Sequence, residues 1–224
     1  DPELVKEARR KELTYFNTKG VWEKCERSEA LAKTGKPPIT VRWVDVNKGG
    51  ATDLKVRSRL VAKELKSKTK ALLLDHELFS AMPPWEMVKA LLSMFISLER
   101  DIYGEELEIG IFDISRAHFM ALALRELYIE LPEEDRNPGE ENMVGRLNRG
   151  MYGTRDASHG WAEDWKALLT SAGYCIGIAN PALFFHKELD SRGAVHGDDF
   201  VVLASAKVLT KLGELLVSKY SVRE

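Results

Sequence analysis

Ala194-Val195-His196-Gly197-Asp198-Asp199-Phe200-Val201-Val202-Leu203 is the stretch on which the reading of this 224-residue chain turns. Apolar runs flank a Gly-Asp-Asp centre. Gly-Asp is turn chemistry, so residues 194–204 read as strand, tight turn, strand. Turn formation alone would account for such a hairpin, but two adjacent carboxylates sit at its tip. A second stretch, Glu108-Ile109-Gly110-Ile111-Phe112-Asp113-Ile114-Ser115, reads as an apolar strand closing on Asp113. Taken alone, that Asp would be a cap for a following helix. Together the two sites could meet on neighbouring strands of one sheet. Carboxylates brought that close repel each other unless a cation lies between them. Magnesium is the natural partner, a hard ion held by one or two carboxylates plus substrate phosphates. A pair of such ions suits an in-line phosphoryl or nucleotidyl transfer.

The flanking sequence fills in the fold. Residues 3–31 read as helical, with Leu4, Ala8, Leu13, Phe16 and Trp22 at roughly helical spacing. A break follows at Gly35-Lys36-Pro37-Pro38. Residues 39–46 and 54–62 read as two strands joined through Asn47-Lys48-Gly49-Gly50, a β-hairpin, and a Lys-rich stretch comes next. Pro83-Pro84 opens a helix through Leu98, with Trp85, Val88, Leu91, Leu92, Phe95 and Leu98 on one face. Residues 127–131 and 183–186 are short strands, 133–142 an acidic loop, and 161–173 and 206–219 helices. The order from Pro83 onward implies an α+β fold: an antiparallel sheet with helices packed on one face. Trp43, Trp85, Trp161 and Trp165 are expected in the core. His76, His159 and His186 show no ligand spacing.

Composition narrows the class. There are 33 basic and 35 acidic residues, 44% apolar residues and 30% charged ones, so the chain is neither low-complexity nor a disordered charged tail. The formal charge of −2 argues at first sight against a nucleic-acid binder. It conceals a segregation. Residues 42–70 carry nine Lys/Arg against three acids, roughly +6, while residues 126–141 carry seven acids against Arg136, roughly −6. The basic segment has the sign that a triphosphate or a nucleic-acid backbone requires. Asp1-Pro2-Glu3 leads into a charged segment with no signal peptide, and the absence of Met at position 1 suggests a piece of a longer polypeptide. The apolar run at 88–98 is too short to span a bilayer. Cys25 and Cys175 fit a reducing compartment, cytoplasmic or nuclear and not secreted. There is no CxxC or HExxH to suggest zinc.

With these segments in place the chain resembles the reverse transcriptase domain of copia-type LTR retrotransposon Pol polyproteins. The likeness covers nearly its whole length. Val41-Arg42-Trp43-Val44 and Ser58-Arg59-Leu60-Val61-Ala62-Lys63 are similar to the family's RWV and ARLVAKG segments. Phe112-Asp113-Ile114-Ser115-Arg116-Ala117 is similar to DVxxAF, and Leu127-Tyr128-Ile129-Glu130-Leu131-Pro132 to IYMxxP. Leu147-Asn148-Arg149-Gly150-Met151-Tyr152-Gly153-Thr154-Arg155-Asp156-Ala157 resembles LxKxLYGLKQA, followed by the Trp161 of RxW. His196-Gly197-Asp198-Asp199 stands where the family has YVDD. Each is weak alone, but six in the right order make a strong signal.

The resemblance implies an RNA-directed DNA polymerase. It implies a palm of the split βαβ type, carrying Asp113 and the Asp198-Asp199 turn on neighbouring strands, and a fingers subdomain, with the chain stopping before a thumb. It divides the chain into an N-terminal helical extension (1–38), a fingers hairpin region (39–82) and a palm (83–224) with a fingers insertion at about 119–155. Asp113, Asp198 and Asp199 would be the catalytic carboxylates, and with the backbone carbonyl of Ile114 they would hold two Mg²⁺ ions, or Mn²⁺. Arg59 and Lys63 would meet the incoming triphosphate. His118 replaces the Phe of DVxxAF and would lie under the incoming sugar. Asp156 replaces the Gln of LKQA, placing negative charge near the nucleotide, and His196 replaces the Tyr of YVDD. The implied partners are an RNA or DNA template-primer, dNTP and other Pol segments (thumb, RNase H, integrase), with no membrane, in a cytoplasmic retroelement particle or the nucleus. The alternative is a degenerate or host-adopted module that binds nucleic acid or protein without turnover. The three replacements favour that alternative, and the retained carboxylates favour the polymerase. A nucleotide cyclase, a more distant palm-like enzyme, would need a signature loop that this chain lacks.

Overall fold

The computed structural model describes residues 1–50, 53–64 and 80–223. In chain order the elements are α1 (Pro2–Lys19), β1 (Trp22–Glu26), α2 (Arg27–Thr34), β2 (Val41–Asn47), β3 (Val56–Ala62), α3 (Trp85–Leu98), β4 (Leu107–Ile114), β5 (Tyr128–Glu130), β6 (Met143–Leu147), α4 (Ala157–Ser171), β7 (Cys175–Ile176), β8 (Leu183–His186), β9 (Ser191–His196), β10 (Asp199–Ser205), α5 (Ala206–Lys219) and β11 (Val222–Arg223). They form two compact units. One comprises Asp1–Leu78 and Ala121–Gly160, the other Phe79–Met120 and Trp161–Glu224. Most of the Lys-rich stretch after Lys63, and His76, lie outside the described residues.

In the first unit α1 begins at Asp1, whose carboxylate accepts the Glu3 amide at 2.9 Å, with Pro2 in its first turn. It ends at Gly20, which takes the left-handed conformation (φ 59°) while the Val21 amide donates to the Phe16 carbonyl. The single helix expected over 3–31 is therefore two helices with a strand between them. Helical spacing continued through Trp22, but β1 pairs antiparallel with β6 (Trp22 opposite Leu147), and those tertiary hydrogen bonds override the periodicity. The resulting sheet has the order β1-β6-β5. Tyr128 and Val144 pack there with Ala30 of α2 and with Cys25. β2 and β3 form the expected hairpin, Trp43 opposite Leu60, and α1 packs against β3.

Much of the acidic segment is paired within this unit. Arg9 reaches Glu134 (2.8 Å) and Asp45 (2.7 Å), and Lys24 reaches Glu140 (2.6 Å). Arg27 grips Glu130 through two 2.6 Å bonds, and Lys33 lies 3.4 Å from Glu126. The Arg9 guanidinium also covers the Trp43 ring, 5.2 Å from its centroid. All four cations in these pairs come from residues 1–38, so the N-terminal segment is part of the unit's electrostatic framework.

The second unit is built on a six-stranded sheet of order β11-β4-β10-β9-β8-β7, with every neighbouring pair antiparallel. Gly110 and Phe112 of β4 lie under α5. A Cβ on Gly110 would stand 2.8 Å from Leu209 Cδ2, so the missing side chain permits the close approach. Trp165 of α4 meets Phe200 edge-on (5.9 Å) and Phe184 at 6.3 Å on the same face. The opposite face packs Leu91 of α3 with Leu107, Ala194 and Leu203, flanked by Met94, Ile109 and Val201. Helices thus cover both faces, which corrects the expectation of one. β4 and β10 are apolar on both sides, and such strands need cover on both. The cover by α3 is partial. Ile111 is 69% exposed, and of the apolar face expected for α3 only Leu91 is buried; Trp85, Leu92, Phe95 and Leu98 are exposed. Trp161 and Trp165 are core residues, while Trp85 is 71% exposed. Among the described residues no helix is long and apolar enough to cross a membrane.

Two outcomes follow from this packing. A Cβ at Gly193 would stand 2.4 Å from Phe184 Cζ and 2.7 Å from the Val201 carbonyl, so Gly193→Ala is expected to destabilise by roughly 1–3 kcal/mol in denaturant unfolding. The Arg27 hydrogen bonds hold the Glu130 carboxyl below its ordinary range, the Arg9 bond does the same to Asp45, and the Asn137 amide with Lys24 holds Glu140 at about 2. These folded-state values lie below the unfolded ones. The contribution is therefore complete above the ordinary carboxylate range and is lost as the pH falls through it toward about 2. Melting temperature followed against pH is expected to fall over that window, with a smaller change at high salt.

Candidate active site

The two acidic stretches meet as neighbours. β4 and β10 pair in register so that Asp113 faces Asp199 and Phe112 faces Phe200. Directly opposed residues of an antiparallel pair project from the same face, with Cβ atoms about 4.5–5.5 Å apart. Asp113 and Asp199 therefore share a face, the one on which Ile111 is left open. Asp198 lies in the turn that joins β9 to β10, half-buried, and its carbonyl accepts the Ile114 amide at 2.9 Å. Gly197 precedes it with φ 64°, the left-handed value that a two-residue hairpin turn with Gly first requires. Ile114 is fully buried. His196 pairs with Asp199 across β9–β10, and its ring lies 6.3 Å from that of Trp85. His118 sits in a short 3-10 turn (Ala117–Phe119), partly buried beside the fully buried Phe119.

A buried aromatic holds the turn. The Trp161 indole N–H donates to the Gly197 carbonyl at 2.9 Å, and Trp161 is 3% exposed. Its ring meets Tyr220 edge-on at 5.0 Å and Phe200 at 6.4 Å. The Tyr220 hydroxyl in turn donates to Asp164 Oδ2 at 2.8 Å, and burial, then that carboxylate, push the phenol well above its ordinary range. Sequence reasoning placed Trp161 in the core but missed this bond. The available signal was that a buried indole needs an acceptor.

The missed residue with the most direct contact is Arg223. β11 pairs with β4 so that Arg223 faces Asp113, and its Nη1 lies 2.8 Å from Asp113 Oδ2. Two residues of strand carry no periodicity, so the sequence held no signal for it. The donor set suits a hard divalent cation in its chemistry: two carboxylates on one face and a third in the adjoining turn. Among the described residues, no three His, Cys, Asp or Glu side chains are already gathered closely enough to hold an ion.

The other three expected residues fall in the first unit. Arg59 on β3 is half-buried, its guanidinium 5.2 Å from the centroid of the Tyr152 ring, and Lys63 is exposed. The Asp156 carboxylate is 7% exposed and takes two 2.9 Å bonds from Arg125, which grips Glu64 through two more at 3.0 Å. Burial alone would lower the Arg125 pKa, but Asp156 and Glu64 outweigh it and raise the value. Glu64 also accepts the Arg155 amide at 2.8 Å, and the Ala62 amide donates to the Tyr152 carbonyl at 2.8 Å. The Met151-Tyr152-Gly153 loop is thereby fastened to the end of β3. The Asp156 carboxylate is held in place by Arg125, which it shares with Glu64.

The family described as reverse transcriptase (RNA-dependent DNA polymerase) matches residues 30–224. A retrovirus-related Pol polyprotein from transposon TNT 1-94 of Nicotiana tabacum is 26% identical over 196 residues, which is 85% of this chain and 14% of that protein. The chain thus spans about one-seventh of the length of this curated relative. A solved structure of telomerase from Candida albicans, in complex with a TWJ fragment of telomeric RNA, is similar with a TM-score of 0.40 and 10% identity. That alignment covers 92% of this chain and 43% of the other, and a likeness so low carries no argument.

Two substitutions separate these contacts. Trp161→Phe keeps the ring and removes the N–H, and is expected to cost about 1 kcal/mol in denaturant unfolding. Arg125→Met leaves Glu64 and Asp156 without their shared cation and is expected to cost roughly 3 kcal/mol or more, with partial recovery on adding Asp156→Asn.

Proposed function

Because this chain belongs to the reverse transcriptase (RNA-dependent DNA polymerase) family, we propose that it performs template-directed DNA synthesis within a retrotransposon Pol polyprotein. The reaction is attack of a primer 3′-hydroxyl on the α-phosphate of a dNTP, with release of pyrophosphate. The observation that carries the reading is the in-register opposition of Asp113 and Asp199, with Asp198 in the adjoining turn. In this reading the second unit is the palm and the first supplies the fingers.

Asp113, Asp198 and Asp199, with the Ile114 carbonyl, would hold two Mg²⁺ or Mn²⁺ ions. The chemistry such ions supply when bound is positive charge at the attacking and leaving oxygens of an in-line displacement. The chain's own residues do the positioning. Trp161 fixes the Gly197 carbonyl and with it the turn that presents Asp198 and Asp199. Arg59 and Lys63 are assigned to the triphosphate, where positive charge stabilises the departing phosphates. His118 is assigned to the sugar, where a polar ring smaller than Phe relaxes exclusion of a 2′-hydroxyl. Asp156 is assigned a supporting part through Arg125, because its carboxylate is already occupied. The nucleic-acid partner is a template-primer, and the setting a retroelement particle or the nucleus. A module without turnover is the second reading, favoured by His118 and His196 in place of the Phe and Tyr of the family's motifs.

Primer extension on an RNA template with Mg²⁺ or Mn²⁺ tests this. The protein is expected to extend the primer, and the double change Asp198→Asn with Asp199→Asn to bring extension to background. Extension that survives the double change removes the carboxylates from catalysis. No extension by a longer Pol segment that also contains the thumb supports the module without turnover.

A further inference from the structure

Four side chains form one row across four adjacent strands. Arg223 on β11 faces Asp113 on β4, Asp113 faces Asp199 on β10, and Asp199 faces His196 on β9. Directly opposed positions share a face, so all four project from the open face of the sheet. The outermost member of the row holds Asp113: Arg223 Nη1 to Asp113 Oδ2 is 2.8 Å. The backbone of β11 is fixed independently of that pair, through the bond from the Ser115 amide to the Ser221 carbonyl at 2.8 Å and the pairing of Val222 with Ile114.

We propose that Arg223 is a resident counter-ion that competes with the divalent cation for Asp113, so that it sets the cation concentration at which the carboxylate site fills. This rests on the reading of Asp113, Asp198 and Asp199 as the cation-holding carboxylates. Two effects act in the same direction. The guanidinium occupies an Asp113 oxygen that a cation would need, and its charge repels a cation placed between Asp113 and Asp199. The pair is also weak enough to open. Its side chains are 47% and 37% exposed, and ion pairs that open to water contribute about 1 kcal/mol or less. The contrast with Arg125 is informative: there the two carboxylates are 15% and 7% exposed, and the same kind of contact is a permanent fastening. Asp113 thus has an exchangeable partner that offsets its repulsion from Asp199 while no cation is bound.

The test is Mn²⁺ binding to the full chain, read from the loss of the free-ion electron paramagnetic resonance signal. It compares the unaltered protein with Arg223→Gln, Arg223→Lys, and each in an Asp113→Asn background. Arg223→Gln is expected to bind Mn²⁺ about fivefold tighter, the factor that corresponds to an exposed pair. Arg223→Lys is expected to stay near the unaltered protein. The difference should shrink as salt is added and vanish in the Asp113→Asn background. Equal or weaker binding by Arg223→Gln, with binding by the unaltered protein intact, overturns the competition and leaves the carboxylate reading standing. If no variant binds Mn²⁺ while all melt cooperatively, the competition and the carboxylate reading fall together.

Discussion

Two carboxylates placed directly opposite each other on adjacent antiparallel strands are destabilising, and the second unit is arranged around that constraint. Asp113 and Asp199 stand in register at one end of β4 and β10. Like charges so placed work against strand pairing. The pairing persists because the same two strands run on into apolar surface, where Leu107, Ile109, Val201 and Leu203 meet α3 and Phe112 and Phe200 lie on the other face. The repulsion is confined to the end of the ladder, the part left uncovered beyond Ile111. There Arg223 answers one carboxylate, and solvent reaches the other.

The turn that carries Asp198 depends on the opposite face of the sheet. Trp161 lies under it, with its indole on the Gly197 carbonyl and its ring against Phe200 and Tyr220. Tyr220 is tied to Asp164 and closes α5 just before β11 begins. One buried aromatic group therefore connects the turn bearing Asp198 and Asp199 to the strand whose Arg223 pairs with Asp113. Core packing and site geometry are the same interaction viewed from two sides of the sheet.

The first unit shows the other fate of charge. Its acidic segment is paired with Arg9, Lys24, Arg27 and Lys33, and Asp156 and Glu64 share Arg125. Of the acids in these pairs, Asp156 and Glu64 are the well-buried ones, 7% and 15% exposed, and the others are paired nearer the surface. Arg42, Lys48 and Lys63 remain exposed on or beside the hairpin. The nearly neutral total in the composition is thus a sum over charges in different settings, paired acids in one segment and exposed basic side chains in another.

The sequence alone determined the elements whose signals are local: the β2–β3 hairpin, α3 after Pro83-Pro84, the apolar strand ending at Asp113, the Gly-Asp turn, and α5 at residues 206–219. It also singled out Asp113, Asp198 and Asp199 as the candidate carboxylates, and all three lie inside the span, residues 30–224, that the family matches. Tertiary structure decided the rest, for a common reason: the determining partners are distant in sequence. β1 replaced helix because β6 offered it hydrogen bonds. Helices cover both faces of the sheet because α3, far from α5 in the chain, meets the side that α4 and α5 leave. Asp156, read as a charge beside a ligand, is occupied by Arg125, 31 residues away. Arg223 reaches Asp113 across 110 residues through a strand too short to show periodicity. A motif can specify that a carboxylate stands at the end of a strand. Only the register of neighbouring strands decides what that carboxylate faces.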